Sequence, residues 1–384
     1  MGAHVSKLEC QDFYGIKLNC DINPSSNTTA FALGGITPGN FQGDPDIAGI
    51  GVLGAFLIVT FFSVALSIGN AIWWILKNVL HWKDRLTHEE KGQKKWQLSV
   101  SGFFESLVTT CSDQQIFTGG AYAITLRYSK GCSISAYHYN IVANMLLLTC
   151  ATHLMAVTIA KHYWEHPYIA LLRIGITTLV YIVTGVLLAN QTGAGNAFPT
   201  AVPSDTDTYS TVLLPAACFQ RNDSQFRNSL QQTFSSGSAS SFLTGQIHGW
   251  TEYLVMFAFY LVAVFVSLGR FVRRGTNHPG TRKRFVDALQ RSSLTRFLFR
   301  AKRFFYLLFA VYLVGGVGTA VWAVQSAFRY ILDLRRWVDQ SGWMHKPNVE
   351  NDPSTFGQLV PLLLMTLTLF TFLHLLSGTY KSTP

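Results

Sequence analysis

The sequence predicts an all-α fold: a polytopic membrane bundle of seven transmembrane helices. Three observations predict it. Seven long apolar stretches recur along 384 residues, and charge is almost confined to the segments between them. The composition is 49% hydrophobic and only 13% charged, with 28 Phe and 9 Trp. Each stretch reaches the ~20 residues needed to cross a ~30 Å hydrocarbon core. Lipid offers no partner to a bare backbone group, so such stretches are expected to be helices.

The stretches lie at 47–76, 97–126, 135–159, 168–190, 248–269, 303–328 and 356–377. The second is the most polar, because it carries Glu105, Asp113, Gln114 and Gln115. Residues 1–46 form a tail rich in Asn, Gly, Ser and Thr, the membrane domain spans 47–377, and 378–384 is a short second tail. The loop 191–247 is Ser/Thr/Gly/Gln-rich, with a short helix expected near 222–234. The loop 270–302 is basic, and its Phe285, Leu289 and Phe297 among Lys and Arg fit either a helix on an anionic leaflet or a retention loop. Beyond the sixth stretch, RYILDLRRWVDQSGW stays amphipathic, so that helix is expected to project past the membrane.

Charge sets the orientation. With the N-terminus outside, nineteen of the 30 Lys and Arg fall on the inner side and ten on the outer side. Arg173 lies within the fourth stretch, near its inner end, where it can snorkel. The positive-inside rule then gives a luminal N-terminus and a cytosolic C-terminus. It also accounts for the +10 net charge without nucleic acid as a partner. The start MGAHVS fits a myristoylation pattern, which the charge bias outweighs. The first stretch is expected to act as the targeting anchor, which places the protein in the endoplasmic reticulum or another secretory membrane.

Sequons and cysteines fall on the same side. Asn27, Asn190 and Asn222 each begin an N-x-S/T triplet on the outer side, where glycosylation occurs. Cys10, Cys20, Cys132 and Cys218 are also outside, where disulfides persist. Four cysteines allow three connectivities, and the expected pairs are Cys10–Cys20 and Cys132–Cys218. Cys111 and Cys150 lie within stretches and are read as small packing residues.

Ionisable groups in a membrane helix are costly and mark candidate sites. In the second stretch Glu105, Thr109, Ser112 and Gly120 share one helical stripe, and Asp113 flanks it. Such a stripe could line a tall cavity or bond a neighbouring helix. A carboxyl in such a cavity could hold a proton and deliver it. The third stretch supplies His138, Asn140, Asn144 and His153. A metal site would want two His at i, i+3 or i, i+4, and these two are fifteen apart, so no metal is expected. The fifth opens with His248, Trp250, Glu252 and Tyr253, placing Glu252 one turn inside. Aromatic rings facing inward could stabilise a cation. Phosphate-loop, HExxH, CxxC and GxSxG motifs are absent from the sequence. So is the DDxxD-type cluster that ionises a prenyl diphosphate through magnesium.

The segments DPDIAGIGVLGAF (44–56), CSDQQIFTGGAYAI (111–124) and CSISAYHYNIVANMLLLTCATHL (132–154) resemble a fungal family of polytopic membrane proteins. That family includes membrane-bound terpene cyclases of the ascochlorin/ascofuranone type. The resemblance implies cyclisation of an epoxidised farnesyl chain on an aromatic polyketide, by acid opening of the terminal epoxide and without a cofactor. Its motif residues here are Asp44, Asp46, Asp113, Gln114, Gln115, His138 and His153. On chemical grounds Asp113 or Glu105 is the expected acid, with the other orienting and Glu252 a further candidate. Gln114, Gln115, His138, Asn144 and His153 are expected to contact a lipophilic prenyl-aromatic substrate drawn from membrane lipid.

Two alternatives fit the topology. A seven-helix receptor would share the N-out arrangement and a disulfide from the third helix to the second outer loop. However, the third stretch ends in AKHYWEHP rather than Asp/Glu-Arg-Tyr, and the seventh lacks Asn-Pro-x-x-Tyr. A transporter built from inverted halves would show an internal repeat, and none is present.

Overall fold

The computed structural model describes residues 5–23, 32–78, 94–160, 167–193, 198–207, 209–220, 247–275 and 302–381. Its frame is seven helices of 24 to 39 residues: α3 (Ile50–Asn78), α4 (Lys94–Ile124), α5 (Ala136–Ile159), α6 (Pro167–Gly193), α7 (Trp250–Gly275), α8 (Lys302–Gln340) and α9 (Phe356–Lys381). Two short helices, α1 (Lys7–Asp12) and α2 (Pro45–Ala48), precede them. A two-stranded antiparallel ribbon joins β1 (Ile22–Asn23) to β2 (Ala32–Leu33).

Among the described residues five helices are long and apolar enough to cross a membrane: Pro45–Leu76, Ala136–Ile159, Tyr168–Ala189, Trp250–Leu268 and Leu308–Gln340. The expectation of seven apolar spans is thus met in part. In α9 the apolar run is shorter, Gly357–Leu373. In α4 the acids and amides dilute the apolar character, and its polar groups bond neighbouring helices. The sixth stretch runs on to Gln340 as the amphipathic pattern predicts. Tyr330, Ile331, Leu334, Trp337 and Val338 form the buried stripe of that extension, which is the helical spacing of one face.

Helix α5 is the axis. Every residue from Ala136 to Ile159 is buried, and α3, α4, α6, α7 and α8 all pack on it. Tyrosines lace its flank to α6 and α7. Tyr181 donates to the Cys150 carbonyl at 2.7 Å, and Tyr253 donates to the Tyr181 carbonyl at 2.9 Å. Tyr260 stacks on Tyr181 with centroids 4.4 Å apart. At the start of α3, Gly49 and Gly51 leave room for Gln358 of α9, whose Oε1 accepts from the Gly51 N–H at 2.7 Å. That bond satisfies one of the orphan donors at the helix start.

All four outer cysteines are bridged, but not in the expected pairs. Cys10 bonds to Cys132 and Cys20 to Cys218. The tail therefore folds back over the top of α5 rather than closing a small loop on itself. The end that carries both bridges is called the disulfide end below. Cys111 and Cys150 are free and buried. Asn190 lies in the last turns of α6. Asn27, Asn222, the expected helix near 222–234 and most of the basic loop 270–302 lie outside the described residues.

Mapping of non-reduced peptides should recover Cys10 linked to Cys132 and Cys20 linked to Cys218. A peptide joining Cys10 to Cys20 would contradict this fold.

Candidate functional site

The structure divides the expected site residues among three places. The first is a polar belt around α4. Four consecutive residues cover all directions of a helix at 100° each, and here each finds a different partner. Ser112 bonds His153 Nδ1 on α5. Asp113 accepts from Arg173 on α6 with both oxygens, the Nε–Oδ1 contact being 2.6 Å. Gln114 accepts from Thr368 on α9. Gln115 donates to Thr60 Oγ1 (2.7 Å) and the Phe56 carbonyl (3.2 Å) on α3, and accepts from Thr152 on α5 at 2.8 Å.

This belt changes the roles expected for its members. Both Asp113 oxygens are engaged by one guanidinium, a bidentate geometry that ties α4 to α6. Gln115 spends both ends of its amide on neighbouring helices, and Gln114 its carbonyl oxygen, so a substrate held by those atoms would compete with bonds between helices. Of the stripe expected to line a cavity, Ser112 is bonded to α5, and beside it a Cβ on Gly119 would meet Thr149 Oγ1 at 2.8 Å, whereas a Cβ on Gly120 would meet nothing within 4 Å. Glu105 is buried on α4, two turns from Ser112. His153 is fully buried, and its Nε2 has no hydrogen-bond partner among the described residues.

The second place is a buried junction at the disulfide end. His138 Nε2 lies 2.9 Å from Glu350 Oε1, and Tyr137 donates to Glu350 Oε2 at 3.0 Å. Ser135 Oγ lies 2.8 Å from His138 Nδ1, and the Asp44 N–H points at both the imidazole and the carboxylate (3.0 and 3.1 Å). Lys130 pairs with the Asp44 side chain. Tyr122 donates to the Asp46 carbonyl at 2.9 Å. Every polar edge of His138 is thus taken up in tying α5, α2 and the 349–351 turn together. Glu350, fully buried, was not singled out from the sequence, where nothing but its position after Asn348 marked it.

The third place is a groove between α7 and α8 at the disulfide end. Its inner recess, about 440 Å³, is lined by Thr200, Ile247, His248, Gly249, Glu252 and Tyr330 among others. Its outer recess, about 470 Å³, adds Trp322, Gln325, Ser326, Arg329 and Asp333, and the two share Val202, His248 and Tyr330. Volumes of this size suit a small ligand. Glu252 accepts from Ser326 Oγ at 2.7 Å. The His248 ring stacks on Tyr330 with centroids 4.1 Å apart and planes 14° apart. His248 precedes the apolar span Trp250–Leu268. Burial lowers its imidazole pKa below the ordinary value, against the opposing pull of Glu252 and Ser326.

Fixed contacts shape this groove. Tyr330 donates to the Thr200 carbonyl at 2.7 Å, Asn140 to the Pro199 carbonyl at 2.8 Å, and Trp337 to the Ser204 carbonyl at 3.2 Å. The segment 198–207 is thereby pinned at one side of the recess. Gln191 donates to Asn140 Oδ1 at 2.8 Å. Gly249 has φ +84°, and a Cβ there would strike Leu147 Cδ1 at 2.3 Å. Only glycine lets this turn press so closely on α5. Beneath it, Asn144 donates to the Asn140 carbonyl at 2.9 Å, and its Oδ1 has no partner among the described residues.

Of the three expected acids, the structure places Glu252 alone on the groove; Asp113 and Glu105 line neither recess. Ser326, Tyr330, Trp322 and Arg329 were missed in the sequence, although their spacing on α8 puts them near one face. A further recess of about 570 Å³ on α9 is lined by Val360, Leu363, Leu364, Thr366 and Phe370 and holds no ionisable group. Among the described residues no group of three His, Cys, Asp or Glu is gathered to hold a metal.

The belt makes a quantitative prediction. In a double-mutant cycle of Asp113→Asn and Arg173→Gln, followed by unfolding in micelles, the coupling should be about 1 kcal/mol, the scale of an interhelical polar contact. Gln115→Leu should lower the midpoint further, since three bonds to α3 and α5 are lost. Zero coupling would dissociate the pair from stability.

Comparison with protein-family models, with curated proteins and with solved structures finds no match to this chain.

Proposed function

We propose that the protein is a membrane-bound terpene cyclase that opens the epoxide of a farnesylated aromatic polyketide, with Glu252 as its acid. One observation carries this reading: a carboxyl held by Ser326 lines a recess walled by the stacked rings of His248 and Tyr330. It meets the chemistry implied by the resemblance of residues 44–56, 111–124 and 132–154 to fungal cyclases. The acid moves from Asp113, the first choice on sequence, to Glu252, because Glu252 combines access with an anchored geometry.

The reaction balances without an added reagent. Glu252 donates its proton to the epoxide oxygen as the tertiary carbon–oxygen bond breaks. The Ser326 hydroxyl then donates to the carboxylate that remains. The carbocation is captured by an alkene of the same chain, forming a ring bond, or moves by hydride shift, or is closed by an internal oxygen. The proton finally lost from the product returns to the carboxylate, directly or through His248. Ring faces of Tyr330 and Trp322 stabilise the cation between these steps. Product and substrate are isomers, so no cofactor enters.

In the proposed topology all seven long helices cross the bilayer, with the disulfide end luminal. Support comes from the charge bias, from disulfides that persist in an oxidising lumen, and from the way α3, α5, α6 and α9 satisfy the polar groups of α4. The secretory-pathway membrane, Asn27 and Asn222 as glycosylation sites, and a lipophilic substrate arriving from membrane lipid belong to the same reading. The receptor alternative loses one of its supports, because Cys132 pairs with Cys10 rather than with the second outer loop.

Membranes carrying Glu252→Gln should retain folded protein and lose conversion of an epoxyfarnesyl phenol by about a hundredfold or more, the usual scale for a general acid. Ser326→Ala should lose less. Wild-type rates in Glu252→Gln would remove the acid assignment, and failure of the wild-type protein to consume any such epoxide would remove the cyclase reading.

An N-terminal epitope tag in sealed microsomes should resist protease. Digestion from the cytosolic side would invert the topology.

A further inference from the structure

We propose that the outer recess is a head-group subsite for an amphiphile with an anionic head, and that Arg329 selects that head. The inference deepens the cyclase reading and rests on it for the identity of the substrate, but the subsite can be measured without turnover.

The two recesses form one groove. They share Val202, His248 and Tyr330, so the stacked pair of rings is the wall between them. Glu252 lies on the inner side and Arg329 on the outer side. Along α8, Trp322, Ser326, Arg329 and Asp333 fall at i, i+4, i+7 and i+11, which is one face of a helix. From Trp322 to Arg329 the rise is about 10 Å. The groove therefore grades from an exposed indole at one end to a guanidinium at the other, the polarity profile of an amphiphile.

Arg173 is clamped on Asp113, and Arg335 donates to Asn351 Oδ1 at 2.6 Å and to the Glu350 carbonyl at 3.4 Å. Arg329 and Arg336 are both exposed and make no hydrogen bond or ion pair among the described residues, but only Arg329 lines a recess. Its planar fork of donors beside a cavity matches a carboxylate or phenolate in bidentate fashion. Gln325 lies one turn back in the same recess and can add an amide donor. Asp333 lies one turn beyond Arg329, and its charge disfavours an anion at that rim, which directs the head toward Arg329 and Gln325. The apolar part of the ligand then runs along Trp322 and over the ring stack toward Glu252.

Two sources share this chemistry: a prenylated aromatic acid and an anionic phospholipid. The test is equilibrium binding to purified full-length protein in neutral detergent. The probes are a tritiated farnesyl-dihydroxybenzoic acid and the farnesylresorcinol that lacks its carboxylate. Wild type should prefer the acid by about tenfold or more, the scale of a charge-assisted contact. Arg329→Gln should reduce that preference to within about threefold and leave resorcinol binding within about twofold. Arg329→Lys should retain part of it. Arg336→Gln, which removes a charge from α8 outside the groove, should leave it intact.

An unchanged preference in Arg329→Gln, or an equal loss in Arg336→Gln, overturns the proposal. Displacement of the acid by phosphatidylglycerol but not by phosphatidylcholine assigns the subsite to a lipid headgroup; resistance to both assigns it to the prenyl acid. If Arg329-dependent binding is found but no epoxide is consumed, the subsite stands and the cyclase reading falls. If the epoxide is converted while Arg329 leaves the preference unmoved, the reverse holds.

Discussion

The bundle depends on four consecutive residues, Ser112 to Gln115, which carry polar side chains around the whole circumference of α4. A helix with polar groups on every side packs well only where each of them finds a partner. The fold answers by surrounding it: α5 meets Ser112, α6 meets Asp113, α9 meets Gln114, and α3 meets Gln115. Each contact is specific in direction, because a one-residue rotation of α4 would carry every side chain 100° away from its partner. Apolar packing alone tolerates such slippage more readily than a belt of directed bonds does. The belt therefore sets the rotation of α4, and through it the mutual placement of four other helices.

A second polar layer lies nearer the disulfide end, where His138, Glu350, Tyr137 and the Asp44 backbone meet. Between a belt on α4 and this junction, α5 is held at two heights and buried along its whole length. A bundle whose axis is filled by a buried helix leaves little room along that axis among the described residues. Space for a solute must open at a seam between outer helices, and it does so where α7 begins against α8. The 198–207 segment, held by Tyr330, Asn140 and Trp337, gives that seam a fixed wall.

The helices were legible from the length and composition of their apolar stretches, and the extension of α8 was legible from its continuing apolar stripe. The disulfide pairing was not. Cys10 and Cys132 are 122 residues apart, and their meeting depends on the path of the tail, which no local pattern encodes. The site was half legible. Glu252 stood out as an ionisable group one turn into an apolar stretch. Its partners Ser326 and Tyr330 belong to another helix, and helix adjacency is not written in the periodicity of either one.

Asp113 illustrates why an ionisable residue within a span is an ambiguous signal. The physical cost of such a group demands a partner, and that partner can be a substrate or another helix. Arg173, placed by sequence near the inner end of its stretch where it can snorkel, also supplies the counter-charge to Asp113 between α6 and α4. Depth decides between the two roles only when the other helix is known to pass at the same level. Glu252 sits under the opposite condition. Its hydrogen bond to Ser326 uses Oε1 and leaves the second oxygen outside that bond, while the recess beside it admits a ligand. A carboxyl with one anchored oxygen and an open side keeps an acceptor oxygen free for a ligand, whereas one gripped by a guanidinium through both oxygens is committed to the contact between its helices. The chemistry thus follows from how many of a carboxyl's acceptor sites the fold consumes, and that number emerges from packing rather than from the residue's place in the chain.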